Sequence, residues 1–194
     1  MDFIDLLPFG PVEDAVMENL EGCVRSGFGL AARRLPPLPD PLFAYDAARG
    51  QFDSARILRE VFGRRDPRAC RILAVTRVDL FIPVLSFVFG QAQLEGPAAL
   101  ISLARLRQEF YGFPPDLPLL LERTTKEALH ELGHSFGLVH CPDPACVISL
   151  SSNIDQVDAK NGAYCPGCRA LLEERLVEAG ATGREPGPRE DKSC

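Results

Sequence analysis

All three histidines of this 194-residue chain fall within one run of 11 residues, His130-Glu131-Leu132-Gly133-His134-Ser135-Phe136-Gly137-Leu138-Val139-His140. Imidazole is a common ligand for zinc. On a helix, His130 and His134 project from one face a turn apart, which suits two ligands on a single ion. Gly137 can take the left-handed conformation that ends a helix and turns the chain, so His140 can swing back as a third ligand. Three protein ligands leave one tetrahedral position for water, the arrangement of a catalytic zinc. Zinc lowers the pKa of that water towards about 7. Glu131 stands about 100° further round the helix, beside the metal without ligating it. It can accept the proton of the zinc-bound water as general base and pass it to a leaving amine. The expected reaction is hydrolysis of peptide bonds, with Glu131 as the catalytic residue.

Four of the seven cysteines lie in the same region. Cys141 and Cys146 have four residues between them, and Cys165-Pro166-Gly167-Cys168 is a CxxC knuckle. Four thiolates fill a tetrahedral zinc completely, so this second site is expected to be structural and to pin the chain after His140. The competing reading of the quartet is ordinary buried thiols. Cys23, Cys70 and Cys194 have no ligand spacing and read as free thiols. Phe81, Phe87 and Phe89 read as core, with a substrate pocket as the alternative, and Tyr164 as a packing residue, with oxyanion stabilisation as its alternative.

HExxH alone is short and recurs by chance, whereas HExxHxxGxxH is the metzincin signature. With HCx4C and CxxC adjoining it, the stretch from His130 to Cys168 resembles the archaemetzincins, a family of small zinc peptidases. Asp79-Leu80-Phe81, Ser86-Phe87-Val88-Phe89-Gly90 and Ser102-Leu103-Ala104-Arg105-Leu106 resemble it more loosely. The resemblance implies a metzincin-like α/β (α+β) fold: a mixed twisted sheet with an edge strand over the cleft, a central zinc-binding helix and a small zinc-stabilised C-terminal lobe. It also implies that the segment Ser86 to Gln93 borders the cleft and takes a peptide as an antiparallel strand. Two zinc ions follow, one catalytic and one structural. The chain departs from the family pattern in two places. Ile148 stands where the pattern has a methionine, and the only methionines are Met1 and Met17. The 16 residues between Ile148 and Cys165 are about one fewer than the pattern has.

The elements that must carry these groups are partly readable. Asp2 to Phe9 reads as a first strand. Val12, Val16, Leu20 and Val24 give Val12 to Phe28 a helical stripe. Gly29 to Leu35 reads as a second strand, and the prolines at 36, 37, 39 and 41 impose a loop. Asp53 to Phe62 reads as a helix capped by Asp53 or Ser54. Arg71 to Val78 is a buried strand, with Asp79 to Pro83 as its exit. Ser86 to Gln93 reads as one edge strand containing a glycine, and Ala98 to Leu106 as another strand. The central helix spans Asp116 to Phe136, or starts at Thr124, where Thr124 and Glu127 form a capping-box pair. A short helix covers Gly167 to Val177.

Length and composition allow one domain over 1–180, with an N-terminal lobe of about 1–137 and a C-terminal lobe of about 138–180. The Gly, Pro and charged residues of 181–194 predict a disordered tail. The net charge of −6 and the lack of a basic stripe argue against nucleic acid and anionic membrane as partners. No apolar run reaches the roughly 18 residues of a membrane span, and Met1-Asp2-Phe3-Ile4-Asp5 lacks a basic leader. The expectation is a cytoplasmic monomer acting on peptide or protein substrates. A zinc-stabilised peptide-binding protein with little turnover is the alternative.

Overall fold

The computed structural model describes residues 3–180; the predicted tail and Cys194 lie outside them. In chain order the elements are β1 (Phe3–Phe9), α1 (Asp14–Phe28), β2 (Ala31–Arg34), β3 (Tyr45–Asp46), β4 (Gln51–Asp53), α2 (Ser54–Arg64), β5 (Arg71–Thr76), β6 (Leu80–Ile82), β7 (Leu85–Val88), β8 (Gly90–Ala92), β9 (Ala98–Ser102), α3 (Leu117–Ser135), α4 (Ile154–Ala159) and α5 (Pro166–Glu178). A five-stranded sheet has the order β2-β1-β5-β9-β8, and a four-stranded sheet the order β3-β4-β6-β7. In the larger sheet, β8 alone runs antiparallel to its neighbour.

Strands β1, β5 and β9 are apolar on both faces because helices cover both. Leu6, Leu73, Val75 and Ile101 point to the core shared with α1 and α3. Leu7, Ile72, Ala74 and Leu100 alternate with them and pack against Ile57, Leu58 and Val61 of α2. Asp5 is the exception on β1, fully buried yet met by the guanidinium of Arg33, with Nε 2.8 Å from Oδ1 and Nη2 3.0 Å from Oδ2. The segment after α3 contributes Val147, Ile148, Val157, Leu172 and Leu176 to the first core.

The helix ends follow local chemistry. Asp53 caps α2 by accepting from the amides of Ala55 and Arg56, and Asp116 caps α3 by accepting from Leu119. The helix therefore starts at the first of the two expected caps, with Pro118 in its first turn, where its missing N–H costs nothing. Twelve of the 19 residues of α3 are buried, since it is wedged between α1, the sheet and the C-terminal segment.

Several expectations need correction. Ser86 to Gln93 is not one strand. The chain leaves the smaller sheet after Val88, where β7 pairs with β6, and joins the larger one at Gly90, where β8 pairs with β9. Asp79 to Pro83 is not a mere exit, since Leu80–Ile82 forms β6, paired with β4 and β7. The strand from Ala98 stops at Ser102. The hairpin β3–β4 and helix α4 were not foreseen.

Candidate active site

The last turns of α3 carry the first two histidines. Nδ1 of His130 donates to the carbonyl of Val147 at 3.0 Å, and Nδ1 of His134 to that of Leu138 at 2.7 Å. With each proton committed to Nδ1, each Nε2 presents a lone pair. These two atoms face each other 3.0 Å apart, an arrangement that repels unless a cation lies between them. Beyond α3, the amide of Gly137 donates to His134 and that of Leu138 to Gly133. Gly137 has φ 96°, and a Cβ there would also meet Glu95 Cγ at 2.8 Å. The turn needs glycine for both reasons. It returns His140 to the pair, its ring centroid 5.3 Å from that of His130 and 4.8 Å from that of His134. The three ligand atoms lie within 4.8 Å of one another. Burial, then the charge of Lys160, hold His130 well below the usual histidine range. Burial lowers His134 and His140 as well. All three are thus neutral imidazoles at pH 7, the form that binds metal.

Glu131 is buried on the same helix and faces the same cleft. Burial, reinforced by the charge of Glu127, pushes its carboxyl well above the usual range, against a smaller opposing pull from Lys160. Its Oε1 lies 2.7 Å from the point where a Cβ on Gly90 would stand, so β8 and the carboxylate are in close contact. The cleft, about 530 Å³, runs between Leu85–Ala92 above and α3 with Leu150–Ser152 below. Phe87 and Phe89 line it as well as packing against the core.

The floor beneath Gly133 of α3 is Ile148. It is fully buried, and its Cδ1 lies 2.7 Å from the point where a Cβ on Gly133 would stand. A glycine is needed there for helix and floor to approach. Tyr164 packs beside it, with its hydroxyl donating to Leu129 O and its ring against Phe28. That is a packing role, as expected.

The four cysteines form a second cluster with all Sγ atoms within 4.8 Å. The 3.8 Å between Cys141 and Cys165 sulfurs matches the edge of a tetrahedron with Zn–S bonds of about 2.3 Å. Hydrogen bonding from the backbone at Cys168, then from its thiol, lowers Cys165 to about 7; its own amide donates to Cys146 Sγ at 3.2 Å. Cys23 and Cys70 stand apart: the Cys23 thiol donates to Thr125 O, and that of Cys70 to Phe3 O. Burial pushes Cys23 up to about 12.

Three polar groups at the cleft were not foreseen. Lys160 is 3% exposed, with Nζ 3.2 Å from Val147 O and 3.4 Å from His130 Nδ1. Glu127 and Ser151 also line the cleft. Glu127 sits four residues before Glu131, a helical spacing that could have been read. Nothing in the spacing of Lys160 or Ser151 pointed to the site.

Comparison with known proteins agrees with this geometry. Residues 48–174 match peptidase family M54. The archaemetzincin of Methanocaldococcus jannaschii is 44% identical over 174 residues, covering 90% of this chain and 94% of that protein. The archaemetzincin of Pyrococcus furiosus is 44% identical over 190 residues, covering 94% and 98%. The crystal structure of an archaemetzincin from Methanopyrus kandleri superposes with a TM-score of 0.80 at 36% identity, covering 90% of this chain and 95% of that one. The family match takes in the histidine cluster, Glu131 and all four clustered cysteines, so the chain belongs to peptidase family M54 and is a zinc metalloprotease.

Proposed function

We propose that His130, His134 and His140 hold a catalytic zinc, that Cys141, Cys146, Cys165 and Cys168 hold a structural one, and that Glu131 is the general base of peptide hydrolysis. The observation that carries this reading is the pair of Nε2 atoms 3.0 Å apart, each freed by an Nδ1 hydrogen bond to a carbonyl, with Glu131 in the same cleft. Zinc held there supplies a Lewis acid that polarises a carbonyl and acidifies water. Every other contribution belongs to the chain. Glu131 takes a proton from the attacking water and delivers it to the departing amine.

The free edge of β8 orients the substrate. It ends the larger sheet and has backbone groups on its outer side, so a peptide can add to it antiparallel, held through main-chain hydrogen bonds. Residues of both an N-terminal lobe, about 1–137, and a smaller lobe, about 138–180, line the cleft. Among the described residues no helix is long and apolar enough to cross a membrane.

The test is Glu131→Gln. The variant keeps its fold and both zinc ions while hydrolysis falls about 100- to 10,000-fold. Unchanged turnover in pure variant protein refutes the role of Glu131.

A further inference from the structure

The cleft holds more polar machinery than peptide hydrolysis uses. Among the described residues, buried side-chain atoms without a hydrogen-bond partner include Glu127 Oε1 and Ser151 Oγ, and both residues line the cleft. Glu127 is 3% exposed. Lys160, equally buried, lines it too and is near enough for its charge to offset the burial of Glu127. An unsatisfied buried acceptor is costly, so these groups point to a ligand that completes them.

Their place in the cleft identifies that ligand. Glu127 lies on the face of α3 that carries Glu131, one turn or about 6 Å nearer the helix N-terminus and so away from His134. Glu131, under the mechanism above, delivers its proton to the leaving amine. The part of the cleft beside Glu131 on the Glu127 side therefore receives the side chain of the residue that bears this amine.

From this we infer that the cleft selects a carboxamide side chain, glutamine or asparagine, on the residue immediately after the scissile bond. A carboxamide offers two N–H donors and a carbonyl acceptor. Its N–H groups meet Glu127 and Ser151, and its carbonyl accepts from Lys160. A cationic side chain meets the buried ammonium of Lys160. An anionic one meets Glu127 and Glu131. An aliphatic one leaves the unpartnered atoms as they are. The inference rests on the catalytic reading above for the direction of the substrate, and its test does not depend on turnover.

The test uses zinc-loaded protein and a series of peptide-like hydroxamates that differ only in this one side chain: Gln, Leu, Lys or Glu. The hydroxamate anchors each compound at the metal, and calorimetry reads affinity. The Gln compound binds about tenfold tighter than the other three, as expected for two or three net hydrogen bonds. Glu127→Leu removes the preference for Gln over Leu. Ser151→Ala weakens it, and Glu127→Gln, which keeps a hydrogen-bonding group, retains most of it. The two milder variants serve if Glu127→Leu fails to fold, as judged by zinc content and circular dichroism. Tightest binding of the Leu compound, or a ranking unaltered by Ser151→Ala and Glu127→Gln together with Glu127→Leu, overturns the inference. Ranked hydroxamate affinities without any peptide cleavage would instead remove the catalytic reading and leave the pocket chemistry standing. Cleavage of a peptide mixture with no enrichment of Gln or Asn after the cut overturns the pocket chemistry alone.

Discussion

Replacing Gly90 with alanine isolates the contact between sheet and base. A Cβ at this position would stand 2.6 Å from Glu131 Cγ, 2.7 Å from Glu131 Oε1 and 2.7 Å from the carbonyl of Leu100. The carbonyl belongs to β9, the hydrogen-bonded neighbour of β8 and itself buried, so it yields least. Glu131 must give way. Moving Cγ from 2.6 Å to an ordinary contact of 3.4 Å takes 0.8 Å. Overpacking of this kind costs about 1–3 kcal/mol of stability, and a displacement near 1 Å at a reacting group can lower the rate about 100-fold. Gly90→Ala is therefore expected to lower kcat by one to two orders of magnitude, with KM changed much less because β8 still offers its edge. Zinc content is expected to stay unchanged, since the three atoms nearest the new methyl group belong to Glu131 and Leu100 and not to a histidine. Steady-state kinetics with metal analysis and chemical denaturation measure all three quantities. Gly22→Ala is the control: Gly22 lies exposed within α1 with no atom within 4 Å of the new Cβ, and alanine there should stabilise by about 0.5–1 kcal/mol. If Gly90→Ala keeps kcat within about twofold of wild type, the contact does not position Glu131 and the argument is wrong.

Three further expectations concern floor, charge and metal. Ile148→Met puts a side chain of similar volume in a site that is already closely packed, so it should change stability by less than about 1.5 kcal/mol and leave hydrolysis nearly intact; a large gain in rate shows that isoleucine impairs the site. Burial raises Glu127 from 4.5 to about 7, with Lys160 acting against it. A raised carboxyl favours the folded state below pH 4.5 and loses that contribution as pH climbs towards 7, so Glu127→Gln should gain stability over wild type across this window. That rise corresponds to an upper bound of about 3 kcal/mol, reduced by what Lys160 loses with its partner, and a difference in unfolding free energy that is flat with pH refutes it. Stepwise chelation should empty the histidine site first and abolish hydrolysis without loss of helix, because four thiolates bind zinc as part of folding. Metal analysis alongside circular dichroism decides the order, and early loss of the cysteine metal overturns the division into catalytic and structural sites.

The histidines, Glu131 and the four cysteines could be picked out in the sequence because their relation is local. Helical spacing, a glycine stop and a CxxC knuckle fix geometry within a few residues. The buried strands were readable for a similar reason, β1 from its apolar residues among acids up to the stop at Gly10-Pro11 and β5 from the apolar run after Arg71. What was hidden depends on distant partners. The segment around Val88 and Phe89 looks like one strand until its pairing partners are known, β6 for Leu85–Val88 and β9 for Gly90–Ala92. Strands β3 and β4 have two and three residues, too few for a periodic signal. Helix α4 has six, and only Asn153, which caps it by accepting from Gln156, marks its start. Lys160 reaches His130 across 30 positions of sequence. No pattern within its own segment distinguishes it from a surface lysine, yet it is among the most buried charges in the structure.

The order of the ligands along the chain ties the two clusters together. His130 and His134 are held by α3 and by carbonyls at 3.0 and 2.7 Å, so protein contacts orient two of the three rings. His140 is different: it is exposed and lies in irregular chain. Its direct neighbour Cys141 is fixed on two sides, by an amide that donates to Ile148 O at 3.2 Å and by a sulfur 3.8 Å from that of Cys165. Ile148 in turn packs beneath Gly133 on α3. The thiol cluster thus anchors the one histidine that the helix cannot, with Ile148 linking Cys141 to Gly133 of α3. Under the proposed assignment, this is the use of a structural metal one residue from a catalytic ligand. It replaces with coordination bonds the long helix or strand that would otherwise be needed to hold His140, and it lets a C-terminal segment of little regular structure complete the site.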